Sequence, residues 1–380
     1  MEAKAGALTS VVRASIGATE VYLRQLAAAL PVTFREHTAL LVVIVAYWAC
    51  GLVVGGLAGW SPTTAITMYL PTFQSVIPLT IVALLLGRAL VIVALERPAR
   101  PLTQFAAELR TTFASPQRIA HALPAVLGLQ VFGGTFTILK ISIPSLVPFS
   151  WDTPLEQFDR WLHGGIVPWQ LLQPIFGVPI VTHALNWAYN SWFLVLGFIL
   201  VWQTFSRQDA QLRLQFFFSF VLGSMLLGSV GAALFSSAGP CFFGRVTGLP
   251  DPFALQIDYL RAVDHSYPVW ALRLQDMLWQ VHVGRGVSIG AGISAMPSIH
   301  VAVATLFALV CWRAKRWLGI VMSIYALIIL VGSVHLAWHY AVDGYFGAIG
   351  MIVIWWVVGR ALSRQDRVRG RDPVTGTGMP

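Results

Sequence analysis

Two histidines and an aspartate recur at four-residue intervals in the stretch HLAWHYAVD. His335, His339 and Asp343 occupy these positions, shortly after the apolar run ALIILVG. If the stretch is helical, residues four apart lie above one another on one face. A carboxylate beside an imidazole holds the ring in one tautomer and leaves the other ring nitrogen free to attack. Ionisable groups at the end of an apolar run are costly unless paired, so the spacing indicates a functional site.

A third histidine, His300, ends the stretch SAMPSIH. It could give a proton to a leaving oxygen and later take one from the next nucleophile. Pro297 at the first helical position, followed by Ser298, predicts a helix start whose free N–H groups form an anion site. Arg245, at the end of SSAGPCFFGR, would add a guanidinium for phosphate oxygens. A nucleophile, a proton donor and an anion site together suit phosphoryl transfer through a phosphohistidine.

The composition indicates what positions these residues. Of 380 residues, 57% are hydrophobic and only 11% charged, whereas a soluble domain carries about a quarter charged residues. The apolar runs are roughly 16 to 25 residues long, which favours helical spans over barrel strands. The sequence therefore predicts an all-α polytopic membrane protein. The eight predicted spans are 39–59, 74–95, 119–141, 183–204, 214–236, 297–313, 318–336 and 341–360.

The positive charges predict an orientation. If the N-terminus is cytoplasmic and the spans alternate, most of the 25 Lys and Arg residues fall on cytoplasmic segments, as the positive-inside rule requires. This asymmetry explains the net charge of +9 without a nucleic-acid partner. Both termini are then cytoplasmic, and the three motif stretches meet on the opposite, periplasmic face. Arg88 falls midway through the second span with no evident partner, and Lys140 lies at the outer end of the third.

The chain is predicted to divide into three parts. Residues 1–118 would contain the cytoplasmic N-terminus and two additional spans, residues 119–362 a six-span catalytic membrane domain, and residues 363–380 a basic cytoplasmic tail.

Two segments outside the spans predict short helices at the membrane interface. WDTPLEQFDRWLHGG has Thr153 and Glu156 at capping-box spacing and ends at a glycine pair. Apolar residues would lie on one face of each helix. They are Leu155, Phe158 and Leu162 in this segment and Leu274, Met277, Leu278 and Val281 in LRLQDMLWQV.

The motifs resemble those of a known superfamily. P-S-I-H, followed about 39 residues later by H-x3-D, resembles the second and third motifs of the type 2 phosphatidic acid phosphatase superfamily. S-A-M-P-S-I-H, H-Y-A-V-D and S-A-G-P are similar to the inositol phosphorylceramide synthase branch and its bacterial relatives, over roughly residues 119–360. The resemblance implies a bacterial inner-membrane enzyme without metal or cofactor. It implies that His339 is the nucleophile, Asp343 its orienting partner, His300 the general acid and base, and Ser298 a phosphate contact.

The sequence also departs from the superfamily pattern. SAGPCFFGR stands where K-x6-R-P is expected, Ile299 replaces a glycine, and Ser333 replaces the arginine expected six residues before the nucleophile. Two cationic phosphate contacts are therefore missing, and Arg245, His335 or Lys140 could replace them. The departures favour the synthase-like branch over a plain phosphatidate phosphatase.

These observations predict transfer of a phosphate or phospho-headgroup from a lipid phosphate donor to a lipid alcohol. If water is the acceptor, the same site is a lipid phosphate phosphatase. A haem or metal protein and a transporter are the remaining alternatives. A haem or metal protein would use His335, His339 and Asp343 as metal ligands, but this interpretation gives SAMPSIH no role. A transporter would be expected to have inverted repeats, which the sequence lacks. The oligomeric state is left open.

Overall fold

In a computed structural model of the protein, residues 2–207, 209–284 and 292–368 are described. This part of the chain consists of helices and connecting turns without a strand, which confirms the all-α class. Short π-helical segments (Ile92–Glu96, Leu109–Phe113 and Leu226–Gly231) and a 3-10 turn (Pro240–Phe242) adjoin the α-helices. The α-helices are α1 (Glu2–Leu57), α2 (Pro62–Val91), α3 (Pro101–Glu108), α4 (Pro116–Leu146), α5 (Asp152–Leu162), α6 (Pro168–Phe176), α7 (Pro179–Asn190), α8 (Trp192–Phe205), α9 (Ala210–Met225), α10 (Ala232–Leu234), α11 (Phe243–Thr247), α12 (Ala254–Asp264), α13 (Trp270–Val283), α14 (Ile299–Ala314), α15 (Arg316–His335) and α16 (Ala341–Val368).

The membrane class follows from the length of these helices. Within the described residues, seven helical segments are long and apolar enough to cross a bilayer, and the chain is an integral membrane protein. The remaining predicted span is α14, which has 16 residues. It is therefore roughly 24 Å long, shorter than a hydrocarbon core of about 30 Å. The seven segments are Ile16–Leu57, Pro78–Glu96, Pro116–Leu146, Pro179–Phe205, Ala210–Leu234, Arg316–His335 and Ala341–Gln365.

The N-terminal region differs from the sequence prediction in one respect. We expected a polar segment before a span beginning near residue 39, but α1 continues through both without interruption. It packs along α4, where a Cβ at Gly51 would lie 2.5 Å from Thr135 Cγ2. A small residue at this contact lets the two helices approach closely. The division of the chain at residue 118 stays a prediction.

Arg88 has two partners that the sequence did not reveal. Its guanidinium donates to Glu108 Oε2 and Oε1 at 2.8 Å and to Glu96 Oε1 at 2.5 Å. Glu96 lies in the π-helical segment that continues α2, and Glu108 reaches the arginine because the chain folds back after this segment and returns as α3.

Helix α14 lies at the centre of the main apolar core. Phe307, Leu306 and Val310 of α14 are fully buried among Phe216 of α9 and Met351 of α16. Because three helices pack around α14, the position of its N-terminus, where the SAMPSIH motif lies, is fixed by the core.

Candidate active site

The N-terminus of α14 connects the two histidine motifs. Ser298 is its N-cap, and its hydroxyl accepts a hydrogen bond from the Val301 N–H at 3.4 Å. The Ser298 N–H donates to the backbone carbonyl of Asp343 at 2.9 Å. We had predicted Pro297 at the first helical position, but it lies before the helix. The N–H groups of Ile299 and His300 occupy the first helical positions, where none has a partner within the helix.

The stretch HLAWHYAVD does not form one helix. Helix α15 ends at His335 and α16 begins at Ala341, close to the predicted spans 318–336 and 341–360, so the two histidines and the aspartate do not share one helical face. The chain turns at Ala337, whose φ is +60°. The N–H groups of Trp338 and His339 donate to the Ser333 carbonyl at 2.9 and 3.1 Å. The turn places His339 in the loop between the two helices.

Asp343 nevertheless reaches His339. It is fully buried in the first turn of α16, and its Oδ2 atom accepts from the Tyr340 N–H at 3.0 Å and from His339 Nδ1 at 3.4 Å. An acidic side chain three residues into a helix that accepts from the residue before the helix is one half of a capping box. The four-residue spacing thus works through a helix cap rather than through a shared helical face.

His300 and His339 lie opposite each other. Their ring centroids are 6.5 Å apart with the planes inclined by 53°. Reacting atoms approach to about 3 to 3.5 Å before reaction, so one phosphoryl group between the rings is within reach of both. Aromatic rings hold His300 in place: Tyr189 stacks on it at 5.1 Å, and Trp192 lies 4.5 Å away and donates to the His300 carbonyl at 3.0 Å.

The surroundings favour a neutral His339. Burial lowers the pKa of His339 to about 3, and the positive charge of Lys140 adds to this shift, while a hydrogen bond with the Ala295 backbone opposes it. Lys140 is half-buried near the end of α4, and its charge acts on both imidazoles. A neutral imidazole with its Nδ1–H directed to a carboxylate is the form that can attack through Nε2.

Two buried aspartates of α5 hold the site loops, and the sequence analysis did not identify them. Asp159 accepts from the N–H groups of Ala341 and Val342 at 2.9 and 3.1 Å, which are the first two of α16. Asp152 accepts from Gly239 N at 2.8 Å and from the Tyr340 hydroxyl at 2.9 Å. Burial raises the pKa of both carboxyl groups, and these hydrogen bonds counteract the shift. Because each aspartate satisfies backbone donors, α5 fixes the segment that follows His339 and, through Gly239, the SAGP segment beside it.

The short helix predicted in WDTPLEQFDRWLHGG forms as α5, but without the predicted capping box. The N-cap of α5 is Trp151, and no capping box forms. Glu156 bonds instead to Arg160 of the same helix. Of the predicted apolar face, Leu155 is buried, whereas Phe158 and Leu162 are exposed, and the two aspartates lie on the face that meets the protein.

Two glutamines hold the same loop from its other side. Gln256 of α12 donates to the carbonyls of Val334 and His335 at 2.7 and 3.0 Å. Gln275 of α13 donates to the Leu336 carbonyl at 2.9 Å. The carbonyls at the end of a helix lack N–H partners within it, and these two amides supply the missing donors. In α13, Leu274 and Met277 of the predicted apolar stripe are largely exposed, and Gln275 is buried instead.

The SAGP segment joins the loops and carries no cation into the site. Gly239 has a φ of +97°, and a Cβ there would lie 2.7 Å from the Trp338 carbonyl oxygen. The Cys241 N–H donates to the Ala337 carbonyl at 3.0 Å, and the Ala295 N–H donates to Ser237. Glycine is required at position 239 by both its φ and the close approach. The segment therefore has a positioning role where the superfamily pattern has a cationic one.

The other predicted phosphate contacts have different surroundings. Arg245 is exposed, lies 3.7 Å from Asp276 Oδ1 and covers the ring of Trp279. His335 is buried and its Nε2 bonds the Thr182 hydroxyl at 2.9 Å. Of the predicted cationic contacts, Lys140 is the one whose charge acts on the histidine pair. The phosphate-binding roles of Ser298, Arg245, His335 and Lys140 stay predictions.

Comparison with known families supports the motif assignment. A family model described as the PAP2 superfamily matches residues 153–357, more than half of the chain. The chain belongs to the PAP2 superfamily. The matched residues contain α5 except for its first residue, Asp152, together with both glutamine-bearing helices and all three motif segments. PAP2 membership suggests a phosphatase or phosphotransferase acting on lipid phosphates.

Two further comparisons found nothing similar: neither curated proteins nor solved structures gave a match. In the described ranges, no group of three or more His, Cys, Asp or Glu side chains is arranged to hold a metal ion.

Proposed function

We propose that the protein is an integral membrane phosphotransferase of the inositol phosphorylceramide synthase-like branch, moving a phosphate or phospho-headgroup between lipid alcohols. The observation that carries the proposal is the pairing of His300 and His339 at 6.5 Å, with Asp343 bonded to His339. One imidazole can reach a phosphorus atom while the other reaches its leaving oxygen.

In the first step, Nε2 of neutral His339 attacks the phosphorus of the donor lipid. The N–P bond forms as the P–O bond to the donor alcohol breaks, and His300 gives its proton to the departing alkoxide. Asp343 stabilises the positive charge that His339 acquires, because its carboxylate already accepts the Nδ1–H. Lys140 and the free N–H groups of α14 would balance the charge of the phosphoryl oxygens.

In the second step, the hydroxyl of an acceptor lipid attacks the phosphohistidine. His300 takes the hydroxyl proton, a new P–O bond forms, and the N–P bond to His339 breaks. His300 and His339 are thereby returned to their starting protonation states. If water enters instead, the product is free phosphate or a phosphorylated headgroup, so a lipid phosphatase uses the same residues. Exclusion of water and the fit of the acceptor decide between the two outcomes.

The proposal includes the placement of the enzyme in the membrane. We place both termini in the cytoplasm and the histidine pair on the periplasmic face of a bacterial inner membrane, with residues 1–118 as an addition to the catalytic spans. The distribution of Lys and Arg supports this arrangement.

The experiment is incubation of the purified protein with a phosphate-labelled phospholipid, with and without a lipid alcohol. Transfer predicts that the label appears in a new lipid only when the alcohol is present. Label released to water at the same rate regardless of the alcohol would contradict transfer and favour the phosphatase. His339→Ala, expected to be inactive in both assays, identifies contaminating activity.

A further inference from the structure

Tyr189, near the end of α7, lies between the general acid and the residue before the nucleophile. Its ring stacks on His300 at 5.1 Å with the planes inclined by 22°, and on the indole of Trp338 at 6.3 Å with an inclination of 10°. Tyr189 is only 6% exposed. Trp338 directly precedes His339, so both aromatic rings border the histidine pair.

Both rings carry a hydrogen-bond donor that the protein does not use. The Tyr189 hydroxyl and the Trp338 Nε1–H are buried and have no hydrogen-bond partner within the part of the chain that the structure describes. Asp343 Oδ1 is a third such atom. Buried donors are nearly always bonded, because leaving one without an acceptor costs stability. Unused donors beside a reaction centre are therefore candidates for contacts with a ligand.

The charges at the site make such donors necessary. A phosphoryl group brings several negatively charged oxygens, and the superfamily pattern meets them with arginines. In this chain, Ser333 occupies one arginine position and bonds its own helix through Leu330 O at 2.7 Å. Arg245 is directed towards Asp276. Lys140 supplies one positive charge, so oxygens that arginines would bind need other donors.

We propose that the Tyr189 hydroxyl and the Trp338 indole N–H donate hydrogen bonds to phosphoryl oxygens of the substrate between His300 and His339. The inference rests on the proposed phosphotransfer function and names the groups that replace the missing arginines. Neutral donors in a buried site stabilise an anion without the cost of burying a further cation.

The first test is Tyr189→Phe, which keeps the ring and removes one oxygen atom. We expect binding of orthovanadate, a phosphoryl analogue, to weaken by about tenfold or more, since a hydrogen bond to a charged group is lost. The dissociation constant is measured from the concentration dependence of the thermal unfolding midpoint. The unliganded midpoint should stay unchanged or rise, because an unpaired buried hydroxyl is removed. Equal orthovanadate affinity in Tyr189→Phe and the wild type, or no binding to the wild type, would overturn the proposal for Tyr189.

Tyr47→Phe is the matched control. The Tyr47 hydroxyl bonds Ser229 at 2.6 Å, so it is already paired within the protein. Its loss should lower the unfolding midpoint and leave orthovanadate affinity unchanged, the opposite of the result expected for Tyr189→Phe. If both variants weaken binding equally, the effect is not specific to the site and the proposal fails.

Trp338→Phe tests the indole. Its control is Trp60→Phe, because Trp60 Nε1 is also buried without a partner but packs against Ile138 and Ile141 of α4. We expect weaker orthovanadate binding for Trp338→Phe alone, and equal binding in both variants would overturn the role of Trp338.

Failure of this inference differs from failure of the proposed function. Turnover of labelled phospholipid by His339→Ala would exclude phosphotransfer through His339, whereas an inactive His339→Ala beside unchanged Tyr189→Phe and Trp338→Phe would exclude only the two donors.

Discussion

Two histidine pairs lie near opposite ends of α4, and they differ in what surrounds them. His37 and His121 meet edge to face with ring centroids 5.6 Å apart. The buried guanidinium of Arg213 donates to His37 Nε2 and to the His121 carbonyl. His300 and His339 lie 6.5 Å apart, and their partner is the carboxylate of Asp343.

At the His37–His121 pair, the guanidinium of Arg213 has a structural role. Arg213 also donates to the carbonyl of Gln203 at 2.9 Å, and it contacts the Thr204 carbonyl at 3.5 Å. Both carbonyls belong to the last turn of α8, where unpaired carbonyls carry partial negative charge. Arg213 of α9 therefore links its own helix to α1, α4 and α8. Its hydrogen bonds go to main-chain carbonyls and to one imidazole.

At the His300–His339 pair, hydrogen-bonding capacity is left over. Tyr189, Trp338 and Asp343 each have a buried polar atom without a partner in the described chain, against one such atom, His121 Nε2, at the other pair. Burial of histidines alone does not separate a structural pair from a reactive one. Under the proposed function, the unused donors and acceptors around His300 and His339 distinguish this pair from His37 and His121.

The strongest test of this contrast exchanges the nucleophile. We expect His339→Gln to lower turnover of labelled phospholipid by at least about a thousandfold, because no other group can form the N–P bond. The unfolding midpoint should change little. His37→Gln is the control, for which we expect the reverse: a lower midpoint and normal turnover per folded molecule. Normal turnover by His339→Gln would end the proposed mechanism.

The second test loosens the loop that carries the nucleophile. Asp159→Asn replaces one of two oxygens that accept from Ala341 and Val342 with an N–H donor facing another donor. A displacement of about 1 Å costs roughly a hundredfold in rate, so we expect kcat to fall by about 10- to 100-fold. Glu156→Gln on the same helix should leave kcat nearly unchanged, because Glu156 bonds Arg160 within α5 and not the loop that carries His339. Equal kcat in both variants would show that α5 does not position the site.

The third test removes the cation of the structural pair. Arg213→Met leaves the carbonyls of Gln203 and Thr204 without a donor, so we expect unfolding to require about 1 to 3 kcal/mol less. Thermal unfolding in detergent measures this loss. Turnover per folded molecule should stay within about twofold of the wild type, and a selective loss of turnover with an unchanged midpoint would contradict the structural role.

The fourth test uses pH. Burial and the charge of Lys140 lower the pKa of His339 to about 3, so the nucleophile stays neutral well below pH 6.5. The loss of activity that its protonation causes, the acid limb of the pH–activity profile, therefore also lies well below pH 6.5. Lys140→Met removes a positive charge that opposes protonation, so the pKa of His339 should rise and the acid limb should move to higher pH. His300 and Asp343, which also face His339, are unchanged in this variant. Lys315→Met, in the turn before α15, should leave the profile unaltered. An unshifted acid limb in Lys140→Met would show that Lys140 does not act on His339.

The smallest effect is expected at Arg245. Because it pairs with Asp276 at the surface, Arg245→Ala should change kcat/KM by less than about threefold. A loss of a hundredfold would instead show that Arg245 binds substrate phosphate, as the sequence had suggested.

Much of this protein could be predicted because the signals are local. Long apolar runs specify membrane helices through the cost of placing polar groups in hydrocarbon, and the four-residue spacing of His339 and Asp343 was sufficient to pair them. The type of contact was not predictable, since a helix cap and a helical face share this spacing.

The remaining features were decided by the tertiary structure. The amphipathic pattern of α5 could not show that Asp152 and Asp159 face the protein. Their carboxylate oxygens accept from backbone N–H groups of segments 80 to 190 residues away in the chain. The sequence favoured Arg245 over Lys140 as a phosphate contact, but packing placed Lys140 where its charge acts on the histidines and Arg245 beside Asp276. The sequence determined which side chains enter the membrane and which chemistry they can perform. Only the fold determined which of their hydrogen-bonding groups are paired within the protein and which are not, because that depends on contacts between distant helices.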